Sequence, residues 1–103
     1  MCFARVRFLL LALLERRVLY GFELVQALQG VDGMLTSEGT IYPLLGRLRR
    51  EHLVDTEWRE SPSGPPRRYY RLTSDGREAL ASFRTEWTVF RNGVDTILKG
   101  EHQ

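Results

Sequence analysis

Apolar residues recur along this chain with two different periods, and the change of period divides it into elements. From Phe3 to Leu14 they fall at Phe3, Val6, Leu10, Leu13 and Leu14, the spacing of a helix with an apolar stripe. Leu9 and Leu11 widen that stripe, which predicts a helix covered on more than one side. A second, shorter helix is expected from about Gly21 to Leu28, with Leu24, Val25 and Leu28 on one face, before Gly30 and Gly33 break the chain. A third carries Ile41, Leu44, Leu45 and Leu48 at i, i+3, i+4 and i+7, a single core face, with Thr36 or Ser37 as its cap. Pro43 lacks an N–H and is expected near the first turn, where donors have no intrahelical partner.

Past this helix the period drops to two. Leu53–Glu60 and Arg67–Thr73 read as strands, with Val54, Thr56 and Trp58 on one face of the first and Tyr70 and Leu72 on one face of the second. Pro62, Gly64, Pro65 and Pro66 lie between them and cannot continue a ladder, so the Ser61–Pro66 stretch is expected to be a hairpin tip. The last segment, from about Ser74 to Leu98, reads as one long helix capped by Thr73, Ser74 or Asp75. Its large apolar residues, Leu80, Phe83, Trp87, Phe90, Val94 and Ile97, alternate three and four apart, a short coiled-coil-like seam. At 1.5 Å per residue such a helix runs about 36 Å, roughly the diameter of a small domain. Part of the seam must then project past the core, and an exposed aromatic stripe marks a partner, most simply a second copy of the chain.

Composition narrows the reading. At 103 residues and 43% hydrophobic, the chain suits one domain with a packed core, which excludes global disorder. The longest apolar run, Phe8–Leu14, falls far short of the roughly 20 residues of a membrane span. Arg5 and Arg7 precede that run as in a secretory leader, but Glu15-Arg16-Arg17 follows in place of a small-residue cleavage site, and a buried helix is expected instead. Cys2 is the single cysteine, so no intrachain disulfide forms and a reducing cytoplasm is the expected setting. Cys2, His52 and His102 do not have the number or spacing of a zinc site. No histidine lies near a plausible nucleophile and no glycine-rich phosphate loop follows a strand, so neither catalysis nor a cofactor is expected. Fifteen basic residues against thirteen acidic ones give a net charge of +2, which alone does not demand nucleic acid. Fourteen of the fifteen are arginine. A GC-rich genome explains that bias, and arginine is also the better bidentate partner for phosphate and guanine.

Three helices followed by a two-stranded hairpin make a winged helix-turn-helix, mainly α with a small β-hairpin, whose third helix enters the major groove of DNA. Residues 1–73 would form this DNA-binding part and residues 74–103 a dimerisation helix, one compact domain in all. Opposite its core face the third helix carries Gly39, Pro43, Gly46 and Arg50, with Tyr42 and Arg47 at the flanks. Two glycines and a proline make a low surface that a DNA backbone can approach; an ordinary solvated face is the competing reading. Arg67 and Arg68 follow the hairpin tip, where a basic wing would meet flanking phosphate or the minor groove. For nearby Arg59 and Arg71, cross-strand pairing with Asp55, Glu57 and Glu60 is the alternative.

Four segments resemble one known family. Tyr20-Gly21-Phe22-Glu23-Leu24 is similar to its opening of helix two, and Gly39-Thr40-Ile41-Tyr42-Pro43-Leu44-Leu45 with Arg47-Leu48 to its recognition helix. Gly64-Pro65-Pro66-Arg67-Arg68-Tyr69-Tyr70 with Leu72-Thr73 and Gly76 resembles its wing and exit, and Glu86-Trp87 with Phe90 and Ile97-Leu98 its dimerisation helix. The chain therefore resembles the PadR-like transcriptional regulators in their short form, with a single C-terminal helix. The resemblance implies a homodimer, usually a repressor, on double-stranded DNA with inverted half-sites. It makes Thr40, Tyr42 and Pro43 contacts, lets Gly39 permit close approach, and places Gly64, Arg67 and Arg68 in the wing. Tyr20 would touch backbone phosphate or else be a core-edge tyrosine; Ser37 and Arg47 complete the candidate DNA-binding set. In some members aromatic compounds bind between the long helices near a tryptophan matching Trp87. Leu80, Phe83, Trp87, Phe90, Val94 and Ile97 are therefore dimer or effector candidates for a small aromatic ligand, the alternative being that Trp87 simply packs the dimer core. Two departures stand out: His52 occupies a position where members often carry glycine, and Arg16-Arg17-Val18 replaces a small or proline-containing turn. Because a fold does not fix a function, a winged helix used only to bind protein is the rival reading.

Overall fold

α1 (Phe3–Leu13) is the central helix of the computed structural model, which describes residues 3–31 and 37–100. Its apolar stripe is used on more than one side, as its width predicts. Val6, Leu10 and Leu11 are buried, and the helix packs on α2 (Gly21–Gln29), α3 (Glu38–Arg50) and α4 (Ser74–Leu98). Cys2, Gly33, Thr36 and His102 fall outside the described residues. An ion pair between Arg7 and Glu51 ties α1 to the far end of α3.

Leu24, Val25 and Leu28 of α2 are buried, and its first turn is closed by Glu23, whose carboxylate accepts the Tyr20 N–H at 3.0 Å. In α3 the core face is Ile41, Leu45 and Leu48, with Leu44 half-buried beside them. Pro43 is the sixth residue of this helix, not part of its first turn as its missing N–H led us to expect. The helix gives up the bond that residue 43 would donate to the Gly39 carbonyl. Gly39 and Pro43 both lie on the exposed side, where that carbonyl keeps access to water.

α3 ends in a tight reversal at His52, whose φ of +61° is left-handed. Glycine adopts that conformation without penalty, whereas His52 holds it at the cost of side-chain crowding. The Thr73 hydroxyl donates to the His52 carbonyl at 2.8 Å and accepts from the Gly76 N–H at 2.9 Å, so one residue braces the turn and caps α4.

The sheet has three strands, one more than the hairpin the period-two segments predict. β1 (Leu19–Tyr20), β2 (Val54–Ser61) and β3 (Gly64–Leu72) lie in the order β1-β3-β2, antiparallel throughout. β1 pairs Leu19 with Tyr70 and Tyr20 with Tyr69; two residues are too few to show a period. The hairpin tip is also tighter than the Ser61–Pro66 expectation. Pro65 and Pro66 belong to β3, and Ser61 already faces Gly64. The register slips between Arg59, opposite Arg67, and Ser61. At such a slip the ladder is interrupted, so residues without an N–H are tolerated there. Val54, Tyr70 and Leu72 turn inward onto the helices.

α4 crosses the back of this assembly. At Gly76 a β-carbon would lie 2.2 Å from the Leu53 carbonyl oxygen and 2.6 Å from Leu72 Cδ1, so the helix meets the sheet at a distance only glycine permits. Leu80 is buried in its own chain's core, and a two-pronged pair of Arg84 with Glu15, at 2.7 and 2.8 Å, fixes α4 to the end of α1. Past that clamp α4 runs clear of the core, as its length predicts, and the molecule measures 59 × 27 × 21 Å. Trp87, Phe90, Ile97 and Leu98 are exposed, Leu98 by 78%. Among the described residues no helix is long and apolar enough to cross a membrane.

Candidate nucleic-acid interface

With its apolar residues turned into the core, α3 presents Gly39, Tyr42, Pro43, Arg47, Arg49 and Arg50 outward. Glu38 stands in its first turn and the three arginines in its last, each at the helix end whose dipole favours that charge. Gly39, Thr40, Pro43, Leu44, Arg47 and Arg50 line an open groove of about 390 Å³ along this side. Ser37 precedes the helix in extended conformation, and its hydroxyl lies 3.4 Å from that of Thr40. Of the candidates on this helix, Gly39, Thr40, Pro43 and Arg47 therefore share one surface, with Ser37 at its edge.

Tyr42 leans away from this groove toward α2, where its ring edge takes the space a side chain on Gly21 would fill. Partial burial, reinforced by Glu38 and Tyr20, raises its phenol pKa, so the hydroxyl stays protonated and able to donate. Tyr20, Gly21, Phe22, Tyr42, Trp58, Arg67, Arg68 and Tyr70 surround a second cleft of about 190 Å³. This cleft is the gap between α3, the start of α2 and the β2–β3 hairpin, the wing of the fold.

The wing sorts its arginines into two kinds. Glu57 accepts from Arg59 at 2.6 Å and stands 3.5 Å from Arg71, and the Arg59 hydrogen bond chiefly lowers its carboxyl pKa. Only the Arg71 contact crosses from β3 to β2, as expected of a cross-strand pair; Arg59 meets Glu57 along β2 itself, and its guanidinium also lies over the Tyr69 ring at 4.5 Å. Among the described residues no carboxylate pairs with Arg67 or Arg68. Instead the Arg67 guanidinium lies over the Tyr20 ring at 4.5 Å and that of Arg68 over Trp58 at 4.7 Å. Stacking of this kind holds a guanidinium flat while leaving its in-plane N–H donors unspent. Tyr20 is half-buried, 5.3 Å from Tyr69, and serves as a platform for Arg67. Gly64 is exposed at the tip, with open space where a β-carbon would stand.

The seam of α4 forms a separate surface. Phe8 and Phe83 stack at 4.6 Å, and the row continues through Trp87 and Phe90. Arg5 stands over Trp87 at 5.7 Å and over Phe90 at 5.0 Å, closing one wall of a cleft of about 150 Å³ with Phe83 and Glu86. Val94 is half-buried and Ile97 exposed, whereas Leu80 lies within the core and offers nothing to a partner. Sequence reasoning omitted Arg5, Phe22 and Trp58 from the site. Trp58 had a signal, since strand alternation puts it on the face of Val54, but not the fact that β2 overhangs the core there.

Residues 10–82, from the middle of α1 into α4, match the sequence profile of the transcriptional regulator PadR-like family. The chain belongs to that family. Its fold is also that of solved relatives. A protein from Streptococcus mutans UA159, 27% identical, superposes with a TM-score of 0.87 over 99% of this chain and 93% of that one. A PadR-like transcriptional regulator from Bacillus cereus is 33% identical with a TM-score of 0.83, covering 92% of each chain. A PadR family transcriptional regulator from Eggerthella lenta is 34% identical with a TM-score of 0.80, covering 92% of this chain and 82% of that one. This PadR-like winged helix is therefore a transcriptional regulator and not an enzyme.

Proposed function

We propose that this PadR-like regulator binds double-stranded DNA as a homodimer and represses transcription from an inverted-repeat operator in the cytoplasm. The observation that carries the reading is the pair of guanidinium groups on Arg67 and Arg68, each over an aromatic ring and, among the described residues, without a carboxylate partner, beside the exposed Tyr42–Pro43 side of α3. Elsewhere on the wing Arg59 and Arg71 share the Glu57 carboxylate, so Arg67 and Arg68 carry the wing's uncompensated cations to where a helix in the major groove would bring the phosphates. Gly39, Thr40, Tyr42, Pro43 and Arg47 would face the groove, Ser37 and Tyr20 the backbone, and Gly64, Arg67 and Arg68 its far side.

The exposed row from Trp87 to Leu98 supports dimerisation, since apolar side chains in series on a projecting helix are normally covered. Two such helices laid together would hold the recognition helices about one turn of DNA apart, 34–36 Å. The aromatic cleft under Arg5 supports a small aromatic effector at the same seam. A ligand there would release DNA by favouring a different spacing of the two heads.

Selection of duplexes from a random pool at two salt concentrations tests the reading. An enriched inverted repeat whose binding weakens with salt is the expected result. A folded dimer that enriches nothing would instead be a protein-interaction module. Titration of aromatic compounds against tryptophan emission and operator affinity tests the effector; no change in either removes it.

A further inference from the structure

Trp58 belongs neither to the core nor to the ion pairs of the wing. It is 62% exposed, although on β2 it shares the face of buried Val54. Across the ladder it stands opposite Arg68, whose guanidinium covers its ring at 4.7 Å. Side chains alternate along a strand. Arg68 therefore lies with Trp58 on the face that looks toward α3, while Arg67 lies on the other face over Tyr20 and reaches the same cleft from its edge. Trp58 and Arg68 form the wing side of the cleft of about 190 Å³ whose other side is Tyr42 and Phe22. A helix in the major groove and a wing at the adjacent minor groove have one sugar–phosphate strand between them. That cleft is the gap in which the strand must run.

Building on the DNA-binding reading above, we propose that Trp58 and Arg68 act together as a strand clamp. The indole lies against a deoxyribose of the strand between the two grooves, and the guanidinium it holds flat donates to the neighbouring phosphate. Neither group touches a base edge, so the clamp positions the protein without reading sequence. Tyr42, across the cleft, faces the groove and carries the sequence preference. The two cleft walls thus have different tasks.

The test uses the full chain with two duplexes, the one enriched from the random pool and a scrambled version of it. Trp58→Ala and Arg68→Ala are each expected to weaken both duplexes by a similar factor, roughly tenfold. The double variant should lose little more than either single one, because the stack works as a unit. Both Arg68→Ala and Trp58→Ala should also lower the salt slope by about one phosphate, since the guanidinium loses its hold on the phosphate without the ring beneath it. In the unaltered protein, saturating DNA should shield part of the tryptophan emission from acrylamide. Trp58→Phe, which keeps a ring under Arg68, should retain affinity and lose that shielding, since Trp87 then emits alone. Wild-type affinity in folded Trp58→Ala overturns the clamp, as does loss confined to the enriched duplex or unshielded emission at saturating DNA. Failure of the unaltered protein to bind either duplex overturns the DNA-binding reading itself.

Discussion

The ring of Tyr42 occupies the space of the side chain that Gly21 lacks: a β-carbon at position 21 would lie 2.7 Å from Tyr42 Cε1. The start of α2 and the exposed side of α3 are thereby fitted to each other by a missing atom. Gly21 is buried and Tyr42 exposed, so the fit sets the direction of a surface residue from beneath.

Gly21→Ala is expected to push the Tyr42 ring aside with little change in melting temperature, because a half-free ring can swing and alanine suits a helix start. Operator affinity should fall by roughly tenfold, the loss of about one good contact. Tyr42→Ala should abolish sequence preference while leaving the oligomeric state unchanged, and adding Gly21→Ala to it should cost nothing further. Fluorescence anisotropy with labelled duplex measures all three. Unaltered affinity in Gly21→Ala would show that the ring's position is immaterial.

Gly76→Ala is a different case, since the obstacle is the Leu53 carbonyl at 2.2 Å, part of the backbone that hydrogen-bonds the Thr73 N–H. Neither side can yield without parting α4 from the sheet. A loss of about 3 kcal/mol or more is expected in urea unfolding, within the range of severe core substitutions.

His52→Gly should stabilise the protein by about 0.5–1 kcal/mol, because glycine at φ +61° avoids the left-handed penalty of a β-carbon and returns part of the gain as chain entropy. A higher urea midpoint at unchanged slope would bear this out.

The clamp between α1 and α4 gives a signed pH effect. The hydrogen bond from Arg84 chiefly lowers the Glu15 carboxyl pKa in the fold. Its contribution is fully present above the ordinary glutamate pKa and is lost as pH falls through the lower folded value. Glu15→Gln should therefore lower the melting temperature at neutral pH, and the gap to the unaltered protein should close in acid. A gap that does not change between neutral and strongly acid solution would rule the clamp out as its source.

Much of this architecture was legible because helix period and strand period are set by burial. The i, i+3, i+4, i+7 pattern from Ile41 to Leu48 marked the core side of α3, and so by subtraction the side left for a partner. Features set by contacts between distant segments were not legible. β1 exists because Tyr69 and Tyr70 offer an edge to Leu19 and Tyr20, and no local pattern of two residues can announce that. Pro65 and Pro66 suggested a loop, but a slip in register accommodated them within β3. Pro43 pointed to a helix start, yet burial of Ile41, Leu45 and Leu48 outweighed one hydrogen bond. At the site, Arg67 and Arg68 looked equivalent as neighbours in sequence. Strand alternation sets them on opposite faces, but the aromatic ring beneath each one comes from another strand and shows only in the fold.

The free end of α4 has a consequence for dosage. Beyond Phe90 the described hydrogen bonds of this helix are its own, Thr96 to Asn92 and Lys99 to Asp95. So short a helical segment is marginal in water unless something lies against it. On the dimeric reading its order is supplied by association, so the supply of competent DNA readers follows the square of chain concentration while dimers are scarce. Doubling synthesis would then raise that supply about fourfold, and a modest change in expression of this small protein would be felt as a much sharper change at its operator.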